Sequence, residues 1–500
     1  MIRENGTAPA VPFVFYAALI VICLVAAARV ALTYPIFGQT FDEPAHLACG
    51  LQIVSSGHYT LEPQHPPLAR IATGIGLRLA GLTLPPAGTI WQRGNEILYS
   101  AGRYVSNLTH ARVGTLVFLI LAIVTTWAWA RRVFDDRIAI AAAALLSITP
   151  AILGHSGLAT TDMAVAATTL LALYRTWRWL EQPSIVNAIW CGAAIALAFT
   201  SKFSALLFVP AGIIALLIVR RGQARAPVLH VLVILLTAIL VTWGVYAFSL
   251  DTWREIVTGV KWSISHERGG HPAYLLGRNS PDGWWYFFVV AFLVKTPIAL
   301  IVLMLIGAID RRARLPVGIA VAFFIVTMPV HVAIGLRHLL PVYPFVCMVA
   351  AAGLFRWRPL AIALLAWLLI ATTLAHPDYF AYFNEVTLGR ADYFLVDSDL
   401  DWGQDILRLT RAVDARTEPL TIAYFGTADL GRHNLPPFHT LRPGEEPYGW
   451  IALSVTILRK GKPPGRFQFL ECVPYTMIGT SIRLYYRPDA SRPRDRRPIS

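Results

Sequence analysis

The chain has 500 residues, of which 56% are hydrophobic and only 14% charged, with a formal net charge of +14. Soluble proteins carry roughly 25% charged residues, so a soluble fold of this length would lack the polar groups to cover its surface. The apolar residues come in blocks of about 18–23, the length that spans hydrocarbon. This argues for a polytopic membrane protein and against reading the basic excess as a nucleic-acid surface.

The first block, about Val11 to Leu32, is too long for a signal-peptide core, shows no small-residue cleavage pattern, and is expected to be a retained helix. Eleven spans are predicted: 12–33, 112–130, 137–153, 160–179, 185–200, 203–219, 227–249, 284–308, 315–335, 338–355 and 358–375. Basic clusters follow the even-numbered spans: Arg131, Arg132 and Arg137; Arg175 and Arg178; Arg220, Arg221 and Arg225; Arg311, Arg312 and Arg314; Arg356 and Arg358. The positive-inside rule then puts these clusters and the N-terminus in the cytoplasm, and the C-terminus outside. The setting expected is a bacterial-type inner (plasma) membrane.

Two outer loops are long, 34–111 and 250–283. In the first, Leu47, Leu51 and Val54, and then Leu68, Ile71, Ile75, Leu79 and Leu82, recur at helical spacing. They predict two amphipathic helices lying in the membrane interface, with core-packed helices of an insert as the alternative. Pro66 and Pro67 suit the first turn of the second helix.

Composition changes after about residue 376. Residues 401–415 read as an amphipathic helix, and 421–426, 449–458 and 481–487 as strands. The expected fold is therefore mainly α: a transmembrane domain of residues 1–375 with about eleven helices, then a small extracytoplasmic α/β domain of 376–487. A Pro- and Arg-rich tail, 488–500, is read as disordered. No internal repeat is visible. Of five cysteines, only Cys49 and Cys472 share the outer face; a disulfide between them is not favoured, and no CxxC metal pattern occurs.

Acidic residues at the outer mouth of such a chain are costly and need a reason. Asp42 and Glu43 stand in FDEPAH where the first apolar run ends. Asp42 suits a general base that takes a hydroxyl proton, with Glu43 orienting it or helping to hold a cation. Its competing role is to cap a helix starting at Pro44. Asp162, in GLATTDMAV, sits at the outer mouth of the fourth span, where capping is again the alternative. Lys202, in FTSKFSALLF, lies between two apolar runs on the outer side; it could neutralise a phosphate at the interface or simply snorkel. Arg337 and His338, in GLRHLLPVYPF, are the matching outer-face candidates.

In the second long loop, HERGGHPAYLLG offers His266, Glu267 and His271, whose spacing matches no standard zinc pattern and otherwise reads as solvated loop. DSDLDWGQD (Asp397, Asp399, Asp401, Asp405) mimics the opening of a calcium loop, but its twelfth position is Arg408 and its glycine comes one residue late; helix capping and domain docking are favoured. Asn107-Leu108-Thr109 is a glycosylation sequon by formula only.

FDEPAH, HPPLAR, TTDM, the mid-chain lysine and RHLLPVYPF occur in the same order as in the protein O-mannosyltransferase and aminoarabinose-transferase branch of the GT-C membrane glycosyltransferases, a resemblance over roughly residues 1–375. YFNEVTLGRADYFLVDSDLDWGQDI resembles a segment that follows the last span in many bacterial members. The resemblance implies a polyprenyl-phosphate sugar donor, inversion at the anomeric carbon, an acceptor hydroxyl on protein, lipid or glycan, and in some members a divalent cation near the acidic loop residues. It places Asp42 and Glu43 as catalytic and Asp162 at an acceptor or metal site, with Asp42 as a possible second metal ligand. Arg70, Lys202, Arg337 and His338 fall on the donor phosphate, and His65, His266 and Glu267 on the donor sugar. Arg70 stands after PPL where Lys is common, which would replace a point charge with a bidentate contact. The competing reading is a transporter of lipid-linked sugars without chemistry; the missing repeat and the boundary position of the acidic residues weigh against it.

Overall fold

The computed structural model describes residues 12–220, 227–413, 420–463 and 465–488. Arg221, Arg225, the last two positions of the helix expected over 401–415, and the tail from residue 489 lie outside the described residues.

Helix α1 (Phe13–Ala31) enters the bundle, and the first long loop then folds as three helices, α2 (Glu43–Ser56), α3 (Leu68–Leu79) and α4 (Ile90–Tyr99). The first two were expected and the third was not. Its start was nonetheless written in the sequence: Thr89 and Gln92 form a reciprocal capping box. Nor does α2 lie in the interface. It is buried from Glu43 to Leu51, with only Gln52 and the last turn reaching the surface, and it crosses α3 backbone to backbone. A methyl on Gly50 would lie 2.2 Å from the Arg70 carbonyl oxygen, and one on Gly74 2.2 Å from that of Gly50. Of the pair, α3 alone shows an outward apolar edge, at Ile75 and Leu79.

The bundle continues with α5 (Tyr104–Val133), α6 (Asp136–Ile148), α7 (Pro150–Ser156), α8 (Asp162–Glu181), α9 (Ile185–Ser201), α10 (Ala205–Val219) and α11 (Val228–Val245). The second long loop holds helix α12 (Thr252–Gly269) and a hairpin of β1 (Ala273–Leu275) and β2 (Arg278–Ser280). Then come α13 (Phe287–Lys295), α14 (Ile298–Gly307), α15 (Arg314–Thr327), a 3-10 turn at Leu336–Val342, α16 (Tyr343–Leu354) and α17 (Arg358–Leu374).

All eleven expected spans correspond to helical segments, but two are broken. The segments α6–α7 bend by 61° and α13–α14 by 107°. Each break precedes a proline, which holds the residue before it, Thr149 or Thr296, in an extended conformation. Among the described residues four helices are long and apolar enough to cross a membrane, or up to six if each bent pair is one span, with shorter apolar helices at Ile185–Ser201, Ala205–Val219 and Arg358–Leu374. Length and composition thus support four to six crossings directly, fewer than eleven.

Small residues let the helices touch, as in membrane packing generally. A methyl on Gly307 of α14 would fall 1.8 Å from the Val349 carbonyl oxygen of α16. The sequon asparagine is occupied: Asn107 is buried and its amide donates to the carbonyls of Ile97, Leu98 and Ser100. Turns that carry basic clusters meet at one end of the bundle, where Arg312 reaches Asp135 at 3.4 Å and Arg220 the Leu180 carbonyl at 3.2 Å. Cys49 and Cys472 are both free thiols, the first buried and the second exposed.

The C-terminal part adds α18 (Ala391–Phe394), α19 (Ile406–Val413), β3 (Leu420–Ala423), β4 (Phe438–Thr440), β5 (Gly449–Ser454), α20 (Val455–Lys460), β6 (Tyr475–Ile478) and β7 (Ile482–Arg487). The five strands make one mixed sheet in the order β4-β3-β5-β7-β6, parallel among the first three and antiparallel thereafter. Two of its strands, β4 and β6, were not foreseen.

The DSDLDWGQD carboxylates are engaged by protein groups, with Asp399 Oδ2 alone among them buried without a partner. Asp397 pairs with Lys460 at 2.9 Å, and Asp405 accepts from Thr480 and Ser481 and pairs with Arg408. Asp401 accepts from the Thr456 backbone N–H at 2.8 Å, and burial pushes its carboxyl up to about 8. A carboxyl raised by folding binds its proton more tightly folded than unfolded, so its contribution is full at low pH and fades as pH rises toward the folded value. Asp401's own contribution to the thermal unfolding temperature is therefore expected to fall between about pH 5 and about pH 8, so that the pH slope of Asp401→Asn is less negative than that of the wild type. An unchanged slope in the variant would remove Asp401 from the account.

Candidate active site

Four of the anticipated residues meet at the end of the bundle that faces the C-terminal sheet. Asp42 precedes α2 as its N-cap residue but makes no capping hydrogen bond. Its Oδ2 instead accepts from Arg337 Nη1 at 2.9 Å, across 295 positions of sequence. Asp162 begins α8, again without a capping bond from Thr161; its Oδ1 accepts from Lys202 Nζ at 2.6 Å and its Oδ2 lies 3.8 Å from Arg337. Lys202 is the residue that ends α9, and its extended backbone turns the side chain inward. Arg337 comes from the 3-10 turn before α16, and its guanidinium sits 4.3 Å from the centroid of the Trp402 ring. The result is a chain of alternating charge: Asp42, Arg337, Asp162, Lys202.

Several polar atoms around this chain are buried without a hydrogen-bond partner in the protein: Asp162 Oδ2, Arg337 Nε, His338 Nε2, His155 Nδ1 and Thr160 Oγ1. Burying an unpaired polar atom costs about 1–3 kcal/mol, so five in one place mark where something polar is received. His155 was not anticipated from sequence. It lies in α7, buried against Phe380 with ring centroids 5.5 Å apart, inside an apolar run that gives no sign of a polar site.

The other anticipated residues stand elsewhere. Glu43, expected beside Asp42 in catalysis, is fully buried and committed: Arg112 donates to both its oxygens at 2.8 and 2.7 Å, and the backbone N–H groups of Thr40 and Ala159 donate at 2.7 and 2.8 Å. It joins the first loop, α5 and the approach to α8. Arg70, expected on the donor phosphate, is turned into its own loop. It pairs with Glu62, donates to the Glu62 carbonyl at 2.8 Å and to His46 Nδ1 at 3.0 Å, and also reaches the Tyr59 hydroxyl. The signal for this lies eight and eleven residues upstream, in Glu62 and Tyr59.

His65 gives its carbonyl to Tyr59 at 2.6 Å, and its ring faces His46 at 5.5 Å. Burial, and then the Arg70 charge, hold both imidazoles well below their usual pKa, so both are neutral. His266 and Glu267 lie at the exposed end of α12, where Glu267 accepts from the His331 backbone N–H and so ties α12 to the segment before Arg337. They do not reach the charge chain directly.

For a divalent cation the donor set fits poorly. Asp42 and Asp162 are already engaged by Arg337 and Lys202, and among the described residues no group of three His, Cys, Asp or Glu side chains could hold a metal ion.

A sequence model of the family described as dolichyl-phosphate-mannose-protein mannosyltransferase matches residues 104–246. Over the whole chain the fold is similar to that of ArnT from Cupriavidus metallidurans. With ArnT bound to undecaprenyl phosphate the TM-score is 0.50 at 14% identity, covering 95% of this chain and 97% of that one. With apo ArnT it is 0.51 at 14% identity, covering 94% and 98%. The oligosaccharyltransferase of Archaeoglobus fulgidus, in complex with zinc and sulfate, aligns at 13% identity and a TM-score of 0.45, over 95% of this chain and 74% of its own. No curated protein is similar enough in sequence to count as a relative. A segment of this chain thus matches the dolichyl-phosphate-mannose-protein mannosyltransferase model, and its whole-chain fold is similar to that of ArnT.

Proposed function

We propose that the protein is an integral-membrane glycosyltransferase that moves a sugar from a polyprenyl-phosphate donor to an acceptor hydroxyl on the extracytoplasmic side. The observation that carries this reading is the Asp42–Arg337–Asp162–Lys202 chain, rimmed by buried polar atoms without partners.

A transfer of this kind needs a proton acceptor and a cationic seat for a departing phosphate, close together. The chain holds both. A donor phosphate entering between Lys202 and Arg337 competes with Asp162 and Asp42 for their cations. As Arg337 turns to the phosphate, Asp42 is released to accept a proton. The acceptor oxygen then attacks the anomeric carbon from the face opposite the phosphate, and its proton passes to Asp42. The bond from that carbon to the phosphate oxygen breaks, and its electron pair leaves with the polyprenyl phosphate, held by Lys202, Arg337 and His338 Nε2. One displacement inverts the anomeric centre. Asp162 keeps Lys202 in place between turnovers.

The basic turns gathered at the opposite end of the bundle support an extracytoplasmic site by the positive-inside rule. The test is to reconstitute the purified protein in vesicles with radiolabelled undecaprenyl-phosphate sugars and a membrane-plus-periplasm extract. Label moving onto an acceptor is expected. Label that only crosses the bilayer, or none that moves, would sink the transferase reading, and the first of these would establish a transporter.

A further inference from the structure

Residues 396–404 lie as a strap between the two segments that deliver Asp42 and Arg337. On one side it is bonded to residues 334–336: Ser398 Oγ donates to the Ile334 carbonyl at 2.6 Å, and the Leu336 N–H donates to Asp399 Oδ1 at 2.9 Å. Gly335 sits so close that a methyl there would lie 2.3 Å from Ser398 Oγ. On the other side the Gly38 N–H donates to the Gln404 carbonyl at 2.8 Å and the Phe41 N–H to the Trp402 carbonyl at 2.9 Å, one residue before Asp42. Trp402 at the centre is buried, stacks on Phe380 with ring centroids 5.9 Å apart and planes within 10°, and carries the Arg337 guanidinium. The strap is fixed in turn to both halves of the molecule. Lys295, at the break between α13 and α14, donates to the carbonyls of Phe380 and Asp399, while Asp401 and Asp397 are held by Thr456 and Lys460 of α20.

We propose that this strap, with Trp402 as its central positioning residue, sets Arg337 against Asp42 and so makes the C-terminal α/β unit a working part of the site. Arg337 needs such a support. Its Nε has no partner, and its ion pairs, with Asp42 and more distantly with Asp162, both run through Nη1, which leaves the plane of the guanidinium to be fixed by the ring beneath it. A cation held over an indole face is attracted electrostatically, so the ring both orients the group and keeps it charged in a dry setting. The consequence for transfer rests on the function proposed above; the positioning itself does not.

The test uses the full-length protein in detergent and phenylglyoxal, which modifies accessible arginines, with the Arg337 peptide followed by mass spectrometry. Trp402→Leu is expected to speed modification of Arg337 by about thirtyfold, the size of a desolvated cation–π contact. Trp402→Phe, which keeps an aromatic face, is expected to restore most of the protection. If Trp402→Leu fails to fold, a difluorotryptophan introduced at position 402 weakens the ring's negative face with its bulk retained, and a smaller acceleration is expected. Unchanged Arg337 labelling in a folded variant would overturn the proposal. In the transfer assay Trp402→Leu is expected to lose kcat and Trp402→Phe to recover most of it. If labelling responds but the wild type transfers nothing, the transferase reading falls and the strap's role stands. If transfer is robust and labelling does not respond, the reverse holds.

Discussion

Asp42→Asn is expected to cut label transfer by about a hundredfold or more, the usual loss when a positioned base is removed, with the folded protein recovered in normal yield. Both halves follow from the contacts. Asp42 is half-buried, caps nothing, and has one strong ionic partner, Arg337 at 2.9 Å. An asparagine keeps an oxygen that can accept from that guanidinium, so the local geometry survives while the ability to take a proton is lost. Thermal unfolding and retention of bound undecaprenyl phosphate are the controls, and both are expected to stay near wild type. Full transfer activity in Asp42→Asn would remove Asp42 as the base and leave the neighbouring Asp162, whose engagement by Lys202 at 2.6 Å makes it the poorer candidate.

How much of this could be read from sequence varied with the kind of information needed. Residue types at the mouths of spans were legible because charge is expensive there; Asp42, Asp162, Lys202 and Arg337 were all singled out on that ground. Which of them touch one another was not legible, since Asp42 and Arg337 are 295 positions apart and nothing local to either names the other. Arg70 shows the converse. A basic residue in a polar motif looks functional until its direction is known, and here Glu62 and Tyr59 turn it inward. Helix α12 carries Trp253, Ile256, Val257, Val260 and Ile264 at helical spacing inside the second long loop, and only its last turn falls in the HERGG phrase that reads as solvated loop. The breaks at Thr149 and Thr296 were hidden inside apolar runs, where only Pro150 and Pro297 announced them. Trp402 was passed over for a different reason. The acidic residues around it read as capping and domain-docking groups, but the groups that satisfy them belong to distant segments, among them Thr456, Lys460 and the Leu336 backbone.

Glu43 provides the second large effect, and it is opposite in kind. Glu43→Ala is expected to prevent accumulation of folded protein, because it leaves Arg112 charged and buried with its carboxylate removed. Both partners of this pair are essentially sealed from solvent, and breaking a buried ion pair from one side costs about 3–5 kcal/mol, a large part of a typical folding free energy of roughly 5–15 kcal/mol. The loss is widened by the Thr40 and Ala159 backbone N–H groups, which would also be stranded. Glu43→Gln is expected to fare little better, since its amide would present N–H groups toward an arginine that has only N–H groups to offer. A catalytic Glu43 predicts something else: a Gln variant that folds normally and turns over slowly. Size-exclusion yield and thermal unfolding in detergent separate the two before any substrate is added. A wild-type melting temperature for Glu43→Ala would mean that the Arg112 contact is dispensable and that Glu43 belongs with Asp42 after all. Loss of fold would assign the two adjacent carboxylates of FDEPAH to different tasks, Asp42 facing the charge chain and Glu43 holding the loop that presents it.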